Sequence, residues 1–248
     1  MKIHIKRSFD ASCSTYDSSC DIQRMVASHL CSLLKGEHKS ILEIGTGTGI
    51  YTDELRRRYA YADITCVDIS HPLLKGAKEK HPENIYICAD GENLPVKGEY
   101  DLITASSAFQ WFSNPGLSIS EMLKFLKKGG EFAFSIFAKG TFTEMAILNN
   151  MTGFGSVYNL RAGSEYLSAL EGTEFEHEER EYVLMFDSVQ EFLKKQKGTG
   201  ATFTGVNRFT SKSAYRKFLC DSVPHRYDRI FEKKFRNPQF VSILYRFD

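Results

Sequence analysis

The most constraining stretch of this chain is Leu42-Glu43-Ile44-Gly45-Thr46-Gly47-Thr48-Gly49. Residues 40–45 form a short apolar run that reads as a strand, and a helical pattern follows over 50–61, so the glycines fall on a strand-to-helix turn. Glycine there lets the backbone come close to a ligand and tolerates positive φ. A dinucleotide-binding turn needs Gly-x-Gly-x-x-Gly to seat a pyrophosphate on the helix N-terminus. Counted from Gly45, its third glycine would be residue 50, which is Ile50. The spacing is instead Gly-x-Gly-x-Gly, with Glu43 two residues before it. This argues against a dehydrogenase-type site.

The alternation continues. Strands are expected at 64–69, 84–89, 100–106 and 131–138. Helices are expected at 21–34, from about Pro72 to Lys80, and at 117–126, the last ended by Gly129-Gly130. Short apolar strands alternating with helices imply βαβ units and a parallel sheet. Beyond residue 138 the pattern changes. Helices are expected at 142–151, 163–170, 188–197 and 211–221, with strands at 175–186 and 239–247. The chain has 248 residues, 42% of them hydrophobic and 25% charged. That length suits a single α/β unit with an insertion. We expect one domain over 1–248: a helical cap at 1–37, a βαβ core at 38–138, mainly lid and acceptor-binding elements at 139–235, and a C-terminal strand at 236–248.

Two carboxylates end strands on the edge where open α/β sheets bind ligands. Asp68 lies 23 residues after Gly45 and is placed to accept from ribose hydroxyls. Asp90 ends the third strand, before Gly91-Glu92-Asn93-Leu94-Pro95. After the fourth strand comes Ser106-Ser107-Ala108-Phe109-Gln110-Trp111, which carries the only tryptophan.

The Glu-x-Gly-x-Gly-x-Gly spacing resembles the S-adenosylmethionine-dependent methyltransferases of the Rossmann-like class. That resemblance implies a class I methyltransferase fold, with a mostly parallel seven-stranded sheet, an antiparallel C-terminal strand and a helical lid. It implies S-adenosyl-L-methionine as cofactor, held by Glu43, Gly45, Thr46, Gly47, Gly49, Asp68, Ile69, Asp90, Gly91, Ser106 and Arg24. Asp90 would bond the adenine amino group, and Gln110 would face the methyl group.

A closer resemblance is to the malonyl-acyl-carrier-protein O-methyltransferases of biotin biosynthesis. It rests on Phe9 with Thr15-Tyr16-Asp17 and Asp21-Ile22-Gln23-Arg24, the 42–49 turn, the segment from Asp90 to Pro95, SSAFQW (106–111), FAKGTFTEM (137–145) and FLKKQKGTGAT (192–202). The family usually has a small residue where Thr46 stands, and the match is loose between Asn207 and Arg236. The KGTGAT segment also looks like that of trans-aconitate methyltransferases. The implied reaction is methylation of a free carboxylate on a malonyl thioester. A free acid as acceptor, or cofactor binding without turnover, stays open at this point.

A carboxylate is ionised at neutral pH, so such a reaction needs no general base. An Arg fork is the best carboxylate clamp, and Arg161 is the candidate. Tyr16 and Gln23-Arg24 could close over the cofactor. Residues 190–248 hold 13 Lys+Arg against 5 Asp+Glu, while the chain as a whole is at +1. These cations are Lys194, Lys195, Lys197, Lys212, Arg216, Lys217, Arg226, Arg229, Lys233, Lys234 and Arg236 among others, and they could meet an acidic acyl-carrier protein. No nucleic-acid recognition module accompanies them. Gly198, Gly200 and Gly205 do not make a phosphate loop, because Val206-Asn207 stand where Lys-Ser/Thr is needed. The six cysteines form no C-x-x-C or zinc spacing. No apolar run approaches the roughly 20 residues of a membrane span. A cytoplasmic protein with no membrane, nucleic-acid or metal partner is expected.

Overall fold

The apolar runs of the first half all form strands: β1 (Ser40–Ile44), β2 (Asp63–Asp68), β3 (Ile85–Cys88), β4 (Tyr100–Ser106) and β5 (Leu126–Phe137). Two more follow, β6 (Phe175–Phe186) and β7 (Phe235–Arg246). The structure is a computed structural model that describes residues 2–170, 172–201, 211–221 and 235–246. The seven strands make one sheet of order β3-β2-β1-β4-β5-β7-β6. The first five are parallel, and β7 runs antiparallel to both β5 and β6. This is the mostly parallel sheet with an antiparallel last strand that the resemblance implied.

Helices alternate with the strands: α1 (Lys2–Ser12), α2 (Asp21–Leu33), α3 (Ile50–Arg58), α4 (His71–Lys80) and α5 (Pro115–Leu123). Then come α6 (Thr143–Thr152), α7 (Ser164–Leu167), α8 (Val189–Gly198) and α9 (Lys212–Asp221). The pleat sends alternate residues of each strand to opposite faces. Ile41, Ile64 and Leu102 are register neighbours and pack on one face with Val26 and Leu30 of α2 and Leu55 of α3. Leu42, Ile44, Val67, Ile103 and Phe132 pack on the other, with Ile119 and Met122 of α5. Both faces are therefore dry, which is why the strands read as unbroken apolar runs. Each such Leu or Ile contributes about 1.5–3 kcal/mol of burial.

Three local expectations are corrected. Residues 2–12 form a helix of their own within the expected 1–37 cap, where only the helix at 21–34 is expected. Ile5 and Phe9 lie four residues apart on its inner face, while Ile3 in the same first turn is left exposed. The fifth helix begins at Pro115 rather than 117, because Asn114 Oδ1 accepts from Leu117 N–H at 3.2 Å and Pro115 needs no partner there. Gly129-Gly130 does not end that helix. Leu126 already pairs with Tyr100, and the glycines sit inside β5, where residues 127–130 bulge opposite Asp101. A side chain at Gly130 would press on the Lys127 and Asp101 carbonyls.

Beyond the sheet, α6, α8 and α9 share a small core of Leu148, Val189, Phe192 and Phe218 with Phe186 of β6. At the other end of the chain, α1 packs against α4. These two groups of helices stand over the carboxyl ends of the parallel strands.

Candidate active site

The turn after β1 is built on hydrogen bonds to the next strand. Gly45 N–H donates to the Val67 carbonyl at 2.8 Å and Thr46 N–H to the same oxygen at 3.2 Å. Gly45 has φ of +75°, and a Cβ there would lie 2.4 Å from Ala108 Cβ. Only glycine permits both the backbone angle and the approach of the turn after β4. That turn is itself bent sharply, with Ser107 at φ of +57°.

Asp68 ends β2 beside the turn. Its Oδ2 accepts from Gly47 N–H at 2.8 Å and its Oδ1 from Ser70 N–H at 2.7 Å. Burial raises its carboxyl above the ordinary aspartate value, while the Ser70 and Gly47 N–H groups pull it down. The cap of α4 falls to Ser70, whose Oγ accepts from Leu73 N–H. Glu43 lies behind the turn, 1% exposed, with Oε2 accepting from Thr52 Oγ1 at 2.7 Å. Burial pushes its carboxyl up to about 7.

These groups bound a cavity lined by Gly45, Gly47, Asp68, Ile69, Asp90, Gly91 and Ser106. Seven of the expected cofactor residues are thus brought together. Glu43, Thr46 and Gly49 support the turn from behind. Arg24 is not brought there; it is exposed and donates to the Asp17 carbonyl at 3.0 Å. Tyr16 lines the cavity beside Gly47, and burial lifts its phenol well above the usual value. The inner face of α1 closes the cavity with Lys2, Ile5 and Phe9. Lys2 pairs with Asp90 and, at 2.5 Å, with Glu92. None of these three helix residues was singled out as a site residue. Their spacing of three and four was the available signal.

A second cavity adjoins the first. Trp111 lines both, while Gln110 lines only the second. Gln110 is 3% exposed, and its Nε2 donates to the Ser107 carbonyl at 2.7 Å. The walls are largely apolar, with Ile22 of α2, Phe142, Leu184 and Phe186, and Phe192 of α8. Lys195 and Thr199, from the KGTG neighbourhood, also line it.

Arg161 lines neither cavity. Its Nη1 and Nη2 donate to the carbonyls of Phe112 and Ser113 at 2.9 and 3.0 Å, so the fork braces the turn after β4. Among the basic residues near the C-terminus, Arg226, Arg229, Lys233 and Lys234 lie outside the described residues, as does Gly205. No metal-binding cluster occurs among the described residues, and none of their helices is long and apolar enough to cross a membrane.

Comparison with known proteins bears on the fold and the family. A family described as "Methyltransferase domain" matches residues 42–134, which spans the sheet core from the glycine turn to β5. A malonyl-[acyl-carrier protein] O-methyltransferase of Halalkalibacterium halodurans is 31% identical over 92% of this chain and 96% of its own length. One of two such proteins of Ilyobacter polytropus is 32% identical, over 90% and 93%. Among solved structures, the YcgJ protein of Bacillus subtilis superposes with a TM-score of 0.61 at 14% identity, covering 90% of this chain and 98% of that one. A SAM-dependent methyltransferase of Thermotoga maritima superposes with a TM-score of 0.56 at 16% identity, over 98% and 99%. The structural likenesses speak for the fold. The full-length sequence likenesses go further: this chain belongs to the malonyl-[acyl-carrier protein] O-methyltransferase family.

Proposed function

We propose that this enzyme transfers the methyl group of S-adenosylmethionine to the free carboxylate of a malonyl thioester borne on acyl-carrier protein or coenzyme A, an early step toward biotin. The observation that carries this reading is the shared wall. Trp111 separates a cavity edged by Gly45, Gly47, Asp68 and Asp90 from a second, largely apolar one.

The first cavity fits the cofactor. Its turn leaves no room for a side chain at Gly45, and two carboxylates stand at its edge. Ser107 lines it, and its Oγ is buried with no partner among the described residues. When bound, S-adenosylmethionine supplies a methyl group on a positively charged sulfur. Asp68 suits the ribose hydroxyls and Asp90 the adenine amino group. Tyr16, with Phe9 at 6.4 Å from it and Trp111 at 5.7 Å from Phe9, covers the opening with aromatic rings.

The acceptor carboxylate arrives ionised, so no side chain has to remove a proton. The protein's work is then to hold the acceptor in line and exclude water. Such positioning can supply up to about 7–11 kcal/mol of the barrier. The exposed cations Lys194 and Lys197 of α8 and Lys212 and Arg216 of α9 offer a positive face to an acidic carrier.

The test is direct. With methyl-labelled cofactor and malonyl-carrier protein, label should appear as a methyl ester on the malonyl group. Label on trans-aconitate or malonate instead would replace this reading with a free-acid one. Cofactor binding without any transfer would make the protein a binder.

A further inference from the structure

We infer that the second cavity receives the pantetheine arm of an acyl thioester, through two buried amide oxygens, Gln110 Oε1 and Gln23 Oε1, that accept from the arm's amide N–H groups. The inference rests on the proposed methylation of a thioester and names what the acceptor site reads.

Gln23 and Gln110 both line this cavity, and both side-chain oxygens are buried without a partner among the described residues. The orientation of Gln110 is fixed. Its Nε2 donates to the Ser107 carbonyl, and the Ser107 N–H is already given to Ser135 O at 2.9 Å. Turning the amide over would set one acceptor against another. An unmet buried acceptor costs about 1–3 kcal/mol, a cost removed when a ligand brings a donor.

The chemistry of that ligand follows from what the cavity offers. A free malonate or aconitate at neutral pH carries only acceptors and two or three negative charges. The one cation among the described lining residues is Lys195, and it is held by Asp21 at 2.6 Å. Such an acid would meet two bare carbonyl oxygens and no unclaimed cation. A pantetheine arm carries two secondary amides joined by methylene groups. Its N–H groups match the glutamine oxygens. Its methylenes match Phe137, Phe142, Leu184 and Phe186. A malonyl group at its end brings one carboxylate where free malonate brings two.

The test compares thioesters with a growing number of amides: malonyl ethanethiol ester with none, malonyl-N-acetylcysteamine with one and malonyl-pantetheine with two. Methyl transfer is followed with the full-length protein and saturating cofactor. The first amide should raise kcat/KM by about tenfold, the size of one net hydrogen bond. Gln23→Leu should shrink the gain from the ethanethiol ester to malonyl-pantetheine, which engages both oxygens. Cofactor titration of the same variant serves as the folding control, because Gln23 does not line the first cavity. Malonyl-coenzyme A and malonyl-carrier protein carry the whole arm, so both should exceed the ethanethiol ester. Equal rates across the thioesters would overturn the inference and leave the proposed reaction standing. A carrier substrate methylated well, with coenzyme A and pantetheine no better than the ethanethiol ester, would also overturn it, since recognition would then lie on the carrier's surface. No methylation of any thioester would remove the proposed function, and this inference with it.

Discussion

Lys2 Nζ sits between two carboxylates, paired with Asp90 and 2.5 Å from Glu92 Oε2, so the first helix is tied to the end of the third strand at the mouth of the cofactor cavity. Burial pushes Glu92 up, but Lys2 and the Asn114 and Ser113 N–H groups outweigh it and hold the carboxyl below its ordinary value. Asp90 is therefore engaged by a cation before any adenine reaches it. Lys2→Ala frees that acceptor. Cofactor affinity should rise, by up to about fivefold, the ceiling for a partly exposed pair, when titrated calorimetrically at low salt. A drop in affinity would instead make Lys2 a clasp over bound cofactor.

Asp68 organises two N–H groups and edges the cofactor cavity. Asp68→Ala should weaken cofactor binding by roughly ten- to a hundredfold, the range for one or two charge-assisted hydrogen bonds. Affinity within twofold of the parent would take Asp68 out of the site.

The contact between Gly45 and Ala108 can be separated from the backbone angle. Gly45→Ala carries both the clash and a left-handed conformation, and it should destabilise by about 2–4 kcal/mol. Adding Ala108→Gly should recover the clash share and leave about 1–2 kcal/mol for the φ of an L-residue. Urea midpoints of the parent and the two variants decide it. No recovery in the double variant would mean that the 2.4 Å approach is not what constrains the turn.

Glu43 makes stability fall with rising pH. Its carboxyl is raised by burial from 4.5 to about 7 in the folded protein. The folded chain therefore holds a proton that the unfolded chain has lost. The contribution is complete below about pH 4.5 and drains away up to about pH 7, some 3 kcal/mol on the linkage relation. Glu43→Gln should flatten this slope between pH 5 and 7 in denaturant titrations. An unchanged slope would assign it to other groups.

Much of the architecture was legible because the strands are buried on both faces. Runs such as residues 40–45 and 100–106 have one reading, and the glycine turn fixes where the ligand edge lies. Asp68 and Asp90 could be placed because strand ends are positions on an edge, which chain order determines. Arg161 could not. A guanidinium fork suits a substrate carboxylate and a pair of backbone carbonyls equally well, and only folding chose Phe112 and Ser113. Lys2, Ile5 and Phe9 were missed for a related reason. Their helix has little apolar surface of its own and acquires its meaning from the cavity beneath it. Gly129-Gly130 resembled a helix stop, because a bulge and a cap both ask for a residue at positive φ.

The single tryptophan sits where the two cavities share a wall, touched by Phe9 of the first helix and by Tyr158, between α6 and α7, at 5.1 Å. Intrinsic indole fluorescence from this protein thus comes from one place. Filling either cavity alters the polarity around that ring, so the native chain carries its own optical reporter. Cofactor and acceptor can each be titrated in either order, without a label or a coupled assay.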